Sequence, residues 1–374
     1  MTEKYKSIFE PLTFKNGIRL RNRIVMSPLT NFSSNEDGTV STPEIQYYKR
    51  RATGVGMVIT ACTYGTENGK GFPGQFSAVS DDMIPSLQQL ATTIKEQGAK
   101  AILQIFHAGR LAPAELVQNQ DVVSASDFYG EESTQRIARG LEVSEIQEII
   151  RGFGEMTRRA IEAGFDGVEI HGANFYLIQQ FFSAYTNQRN DQWGGSLERR
   201  MSFPSAIIDE VKRIVEKYAK NPFLVGYRFS PEEPFESGIT MNDTFYLVDA
   251  LIEKELDYLH VSLNNFWSKP RRGGKVTQSR IEQIYERVNE RTVIIGVGSL
   301  LSAKDVLEAK KTGVPLIALG REIIIEPDWI EKVAEGREEE ILTTIDLNTQ
   351  EKLDIPDPLW DRIVNVPDWF PVKR

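Results

Sequence analysis

Eight short apolar runs recur along the chain, each separated from the next by a longer stretch of mixed polarity, and this rhythm restricts the fold more than any other feature. They cover Arg23–Ser27, Gly56–Thr60, Ala101–Phe106, Gly167–His171, Phe223–Arg228, Tyr258–Ser262, Val293–Gly296 and Leu316–Leu319. Each is shorter than an ordinary helix and nearly continuous in its apolar character, as a strand buried on both faces must be. Between them, Met83–Glu96, Val143–Ala163, Met201–Tyr218, Asp243–Lys254 and Ser302–Thr312 carry helical periodicity. Ser144 followed by Gln147 predicts a capping box at the start of the second of these helices. Alternating buried strands and helices imply a parallel sheet. Eight repeats imply its closure into a (β/α)₈ TIM barrel, with a doubly wound open sheet as the competing fold.

Before the first run, Asn16-Gly17 stands between two short alternating segments, a hairpin signal that predicts a lid on the barrel floor. Two stretches break the rhythm, Ala108–Gly140 and Asn264–Lys275. Both follow a strand, so in a barrel both lie at the C-terminal mouth, where loops build active sites. After Glu340 come Pro356, Pro358, Pro367 and Pro371 with Trp360 and Trp369, which predict an extended segment packed on the surface or on a neighbour. All 374 residues read as one domain, with a core of about residues 9–340 and an extension over 341–374.

Charge narrows the function. A net charge of −9 repels phosphate backbones and anionic lipid surfaces, so a small molecule is the expected partner, not nucleic acid or membrane. Cys62 is the single cysteine, which excludes an intrachain disulfide, an all-cysteine metal site and an iron–sulfur cluster. No metal is expected. The start MTEKYKSIFEPL lacks the apolar core of a signal peptide and no run approaches a membrane span, so a cytoplasmic location is expected. A homo-oligomer is compatible with the sequence.

Polar chemistry concentrates in Gly167-Val168-Glu169-Ile170-His171-Gly172-Ala173-Asn174-Phe175-Tyr176, which runs off the end of the fourth strand. If a helical turn starts at Gly172, His171 and Asn174 point the same way and can donate two hydrogen bonds to one carbonyl oxygen. Such a pair polarises an enone. Tyr176 would then approach the ligand from another side, where a phenol can donate a proton. Phosphate binding has its own signal: Gly296-Val297-Gly298-Ser299 ends strand seven and Gly320-Arg321 ends strand eight, where such barrels commonly hold phosphate. Glycines admit backbone N–H groups to the anion, and Arg321 adds charge-assisted bonds.

The segment 164–174, with Trp193-Gly194-Gly195-Ser196-Leu197-Glu198-Arg199-Arg200, resembles the signature of Old Yellow Enzyme-type NADH:flavin oxidoreductases. Asn22–Thr30, Gln104–Arg110 and Ala318–Arg321 with Glu326-Pro327 extend the resemblance from about Phe9 to Ile330. It implies a barrel with non-covalent FMN at its C-terminal mouth, reduced by NADH or NADPH and oxidised by an activated alkene or quinone. His171 and Asn174 would hold the substrate oxygen, and Tyr176 would protonate Cα. Thr30 would bond the flavin O4 edge, as in one branch of the family where another places a cysteine. Gln104 would meet the pyrimidine edge and Arg228 would sit against N1 and O2. Ser27, Pro28 and Leu29 would line the cofactor, Cys62 would touch it through the main chain, and Gly298, Ser299, Gly320 and Arg321 would hold its phosphate.

Departures from the family pattern are Phe175 in place of a glycine and Trp193 in place of a tyrosine. His107 reads as structural support beside Gln104, while Phe266 and Trp267 either roof the substrate or pack their own loop. The larger dienoyl-reductase type, with its iron–sulfur cluster and further domains, is not expected from a single cysteine and a chain that ends at Arg374. Two rival readings are a phosphate-binding barrel lyase or aldolase, for which no convincing lysine or metal ligands stand at strand ends, and a non-catalytic flavin-binding protein.

Overall fold

The computed structural model describes residues 3–129 and 136–373. Eight parallel strands close into a barrel in sequence order: β1 (Ile24–Met26), β2 (Met57–Tyr64), β3 (Lys100–Phe106), β4 (Gly167–Gly172), β5 (Leu224–Phe229), β6 (Tyr258–Val261), β7 (Val293–Val297) and β8 (Leu316–Leu319). Each corresponds to one of the apolar runs. The largest difference is β2, which continues past Thr60 to Tyr64 and shifts register between Ile59 and Cys62. Cys62 therefore lies inside the strand rather than after it.

Helices α1 (Thr42–Ala52), α2 (Ile84–Glu96), α3 (Val143–Glu162), α4 (Ser202–Tyr218), α5 (Met241–Glu253), α6 (Arg280–Val288), α7 (Ala303–Lys310) and α8 (Trp329–Glu335) follow the strands in turn. Capping boxes start four of them, at Ser41 with Glu44, Thr240 with Asp243, Ser279 with Glu282 and Ser302 with Asp305. Helix α3 also has one, but it joins Glu142 to Glu145, not Ser144 to Gln147. The helix opens at Val143, so Ser144 already lies in its first turn, and Glu145 is the residue that reaches back to the Glu142 N–H at 2.7 Å.

The expected hairpin forms between Leu12–Thr13 and Arg19–Leu20, with Gly17 in the left-handed region at its tip. Leu12, Phe14, Ile18 and Leu20 are buried against Val25, Met57, Ile102, Leu224 and Ile295. The floor of the barrel is thus sealed by apolar side chains, and ligands must enter from the other end.

At that other end, Val123–Ser124, Phe128–Tyr129 and Arg136–Gly140 form a small sheet within the long excursion after β3. Gly130–Gln135 of that excursion lies outside the described residues. The tail is not simply extended. Asp357–Asn365 is a helix, with Pro356 and Pro358 at its N-terminus, where a missing N–H costs nothing. Ile345–Asp346 pairs in parallel with Val372–Lys373, and Ile345, Leu353, Leu359, Ile363 and Phe370 are buried on the core. Arg51 clasps the tail: its guanidinium lies 4.0 Å from the Tyr47 ring centroid and donates 2.6 Å to the Leu353 carbonyl. This docking carries Trp369 to the barrel mouth. Among the described residues no helix is long and apolar enough to cross a membrane.

Candidate active site

Two adjoining cavities open at the C-terminal mouth, of about 460 Å³ and 230 Å³. They share Pro28, Leu29, Asn174, Arg228 and Trp369, so they form one elongated cleft. The larger compartment takes in Ser27, Gly298, Ser299, Gly320 and Arg321. The smaller takes in Thr30, Cys62, Gln104, His171 and Tyr176. Every residue singled out for ligand contact therefore lines the cleft.

In the larger compartment, Gly298 cannot carry a side chain, because a Cβ there would lie 2.4 Å from the Phe266 nitrogen. The Phe266 N–H donates to the Gly298 carbonyl at 2.9 Å. Phe266 is wholly buried and Trp267 points outward, so this aromatic pair supports the loop and lines neither compartment. Arg321 donates 2.9 Å to Ser299 Oγ and 2.9 Å to the Trp369 carbonyl, which holds its guanidinium across the compartment. Beside it the Glu322 carboxyl is buried without a hydrogen-bond partner. Burial, with Glu326 and Asp305 nearby, pushes that carboxyl up to about 8 against the opposing pull of Arg321.

In the smaller compartment, neighbours of unambiguous polarity orient the polar side chains. Arg228 Nη2, which can only donate, gives a 3.1 Å bond to Ser262 Oγ. Ser262 in turn donates its own proton to Asn174 Oδ1 at 2.9 Å. With its oxygen committed, Asn174 turns its NH₂ away from Ser262. Likewise His171 Nδ1 accepts from the Ala173 N–H at 3.3 Å, which places the ring proton on Nε2. Burial, with the Arg228 guanidinium and the His260 ring nearby, holds His171 well below the usual histidine range, so it is a neutral donor.

This geometry corrects one expectation. No helical turn starts at Gly172; Asn174 and Phe175 have φ of 56° and 65° instead. The left-handed pair turns the chain so that Asn174 lines the same compartment as His171, an arrangement set by the turn and not by helical spacing. Phe175 occupies a conformation that favours glycine. It is held there by Gln179 Oε1, which accepts its N–H at 3.0 Å, and by Gln180 Nε2, which donates 2.7 Å to its carbonyl. Tyr176 follows, and its ring is edge-on to Phe106 at 4.5 Å and to His171 at 5.1 Å. Burial raises its phenol above the ordinary value, so it stays protonated.

Cys62 Sγ lies 3.6 Å from Thr30 Oγ1, and burial pushes the thiol up to about 12, so it is not a thiolate at neutral pH. His107 has both ring nitrogens engaged, with Asn68 Oδ1 at 3.1 Å and the Gly109 N–H at 3.0 Å, and burial lowers it to about 3. It is a structural group. Gln104 Nε2 donates to Glu169 Oε1 at 2.7 Å, and Glu169 Oε2 lies 3.0 Å from His260 Nδ1.

Sequence reasoning missed Phe32, Phe72 and Trp369, which wall the smaller compartment. Trp369 is brought there from more than three hundred residues along the chain from Phe32, and no local pattern marks it. It also missed Glu169 and His260 as a pair. Their signal was readable: on β4 and β6 the polar positions Glu169–His171 and Tyr258–His260 recur with period two, which aims them into the barrel.

A parallel barrel whose mouth joins a glycine-lined cationic compartment to an aromatic one defines a flavin-type (β/α)₈ oxidoreductase. The chain belongs to the NADH:flavin oxidoreductase / NADH oxidase family, whose pattern matches residues 7–340, and so to the Old Yellow Enzyme group. It is 53% identical over 373 residues to the probable NADH-dependent flavin oxidoreductase YqiG of Bacillus subtilis, covering 100% of both chains. It is 39% identical over 358 residues to an NADH:acrylate oxidoreductase of Vibrio harveyi, spanning 95% of this chain but 35% of that one. Morphinone reductase, solved in complex with tetrahydroNAD, superposes with a TM-score of 0.75 at 25% identity over 88% of this chain and 91% of that one. The protein is thus an enzyme that uses FMN and a nicotinamide reductant. The lyase and the non-catalytic readings fall away.

Proposed function

We propose that the protein reduces carbon–carbon double bonds activated by a carbonyl or related group, with FMN held non-covalently in the elongated cleft. The residues present fit that cofactor. Gly298 admits backbone N–H groups to an anion, Ser299 and Arg321 add donors, and Arg228 keeps a buried Nε–H without a protein acceptor at the junction of the compartments. The phosphate therefore belongs with Gly298, Ser299, Gly320 and Arg321, and the ring system with Ser27 to Thr30, Cys62, Gln104 and Arg228. The Arg228 guanidinium would there stabilise negative charge on the pyrimidine side of the ring. When bound, FMN would supply the hydride chemistry that links NADH or NADPH to electron-poor carbon.

The chain's own residues supply the rest. His171 Nε2–H and the Asn174 NH₂ bind the oxygen of the activating group and strengthen their hold as negative charge gathers there. Tyr176 Oη supplies the proton at Cα. The observation that carries this reading is the orientation of both donors: each has its acceptor atom hydrogen-bonded back to the protein, one by Ala173 and the other by Ser262. Alkene and nicotinamide would use the same cavity in turn. Denaturing the purified protein is expected to release FMN, and the folded protein is expected to bleach anaerobically with NADH or NADPH. Release of FAD, or a protein that neither contains nor takes up FMN, contradicts the reading.

Glu322 gives this site a pH dependence. A carboxyl with its folded value near 8 is neutral at pH 7, and ionises as pH rises through that value. Once ionised it repels a phosphate beside it. A phosphate that raised the Glu322 value by one unit would by linkage be bound about tenfold more weakly at high pH. FMN affinity of the full chain is therefore expected to fall between pH 7 and pH 9.5. In Glu322→Gln the decline should flatten; an unchanged decline would show that another group controls it.

A further inference from the structure

The cleft floor contains a buried carboxylate–imidazole pair that the proposed reaction does not use; burial holds His260 below the usual histidine range, so its ring meets the carboxylate as a hydrogen-bond donor. Glu169 on β4 and His260 on β6 are both fully buried, and the strands between them align Glu169 with Gly226 and Arg228 with His260. A carboxylate is retained in an apolar barrel only when its oxygens are satisfied. Here one takes the Gln104 amide at 2.7 Å and the other faces His260 Nδ1 at 3.0 Å. Burial opposes ionisation of Glu169, but His260, Arg228 and Gln104 together hold it below the usual carboxylate range. An ionised carboxylate only accepts hydrogen bonds, so the half of the Gln104 amide that meets it must be the NH₂. The Gln104 carbonyl oxygen is thereby committed to the other side, where Gln104 lines the cleft beside Arg228.

We propose that Glu169, paired with His260, is a positioning residue that fixes the Gln104 amide so that the cleft presents an acceptor, Gln104 Oε1, next to the Arg228 donors. That alternation complements an imide edge, in which one N–H stands between two carbonyl oxygens. It selects the pyrimidine edge of a flavin through its N3–H. An amide free to turn over would offer NH₂ or oxygen indifferently, and would reject neither an imide nor its N-methylated form. The inference rests on the reading above that Gln104 meets the pyrimidine edge.

The test compares FMN with 3-methyl-FMN, which lacks the N3–H, in binding titrations of the full chain stripped of flavin and reconstituted. The wild type is expected to prefer FMN by about tenfold or more, because the methyl group deletes one hydrogen bond and leaves Oε1 facing carbon. In Glu169→Gln the preference should fall to within about threefold, since an amide can pair with either end of Gln104. In the exchanged variant Glu169→Gln/Gln104→Glu the preference should return, because the amide now on β4 can donate to the carboxylate now on β3, whose second oxygen again accepts from N3–H. If the wild type does not discriminate, Gln104 does not meet N3 and the pyrimidine assignment fails together with this inference. If the wild type discriminates and folded Glu169→Gln keeps the full ratio, the positioning role alone is wrong. Should Glu169→Gln not fold, His260→Gln loosens the same carboxylate and must lower the ratio; an unchanged ratio there overturns the proposal equally.

Discussion

Replacing Tyr176 by phenylalanine is expected to slow the reduction of an enone by about 10²–10⁴-fold while leaving reduction of the bound flavin by nicotinamide near its normal rate, since that is the usual yield of a positioned general acid. The separation follows from where a proton is needed. Saturating an alkene requires one at Cα as the hydride reaches Cβ, whereas nicotinamide oxidation requires none on the substrate side. Tyr176 is suited to the first step by burial, which raises its phenol and keeps it protonated, and by contact with Phe106 and His171, which fixes the ring. The substitution removes one oxygen and keeps those aromatic contacts. Quinones accept electrons without protonation at carbon and should be largely spared. Stopped-flow absorbance of each half-reaction checks this. A parallel loss in all three reactions would make Tyr176 a packing residue, and no loss in any would assign the proton to solvent or another group.

The second large effect is expected from removing both oxygen-binding donors. A phenolate mimics the oxygen that becomes negative during enone reduction, so para-substituted phenols should bind the oxidised protein and produce a long-wavelength charge-transfer band. Each donor to a charged oxygen contributes about 1.5–3 kcal/mol. The His171→Ala/Asn174→Ala variant should therefore bind the phenolate more than a hundredfold more weakly, and the band should vanish at ligand concentrations that saturate the wild type. The single variants should not add, because both donors meet one oxygen. Unchanged affinity in the double variant would refute the assignment. A loss confined to His171→Ala would show that the Asn174 amide, despite its tie to Ser262, does not reach the ligand.

Much of this is legible in the amino-acid sequence. The eight strands are, because continuous apolar runs of strand length leave little choice, and their order follows from the helices between them. Limits became visible where neighbours decide. Strand β2 outran its apolar run because Cys62, Thr63 and Tyr64 find inward and cross-strand partners on β3 that only the barrel supplies. The α3 cap moved from Ser144 to Glu142 because a helix start is set by backbone geometry more than by residue preference. His171 and Asn174 did come together, but through two left-handed residues that a reading based on helical spacing does not anticipate. The proline-rich tail yielded a helix, since proline is well accommodated in a first turn. Trp369, finally, owes its place to the Arg51 clasp and to Arg321, contacts between segments far apart in sequence.

In the proposed function, this cleft delivers reducing equivalents to an activated carbon–carbon double bond. The most direct test of that function is an anaerobic single-turnover experiment in which the protein, bleached by one equivalent of NADH or NADPH, is mixed with 2-cyclohexenone. Flavin absorbance is expected to return with formation of one equivalent of cyclohexanone, and saturated cyclohexanone added in its place should restore nothing. A protein that stays bleached with the enone, and with acrylate or fumarate tried as carboxylate-activated alkenes, yet regains its colour when air is admitted, would contradict it.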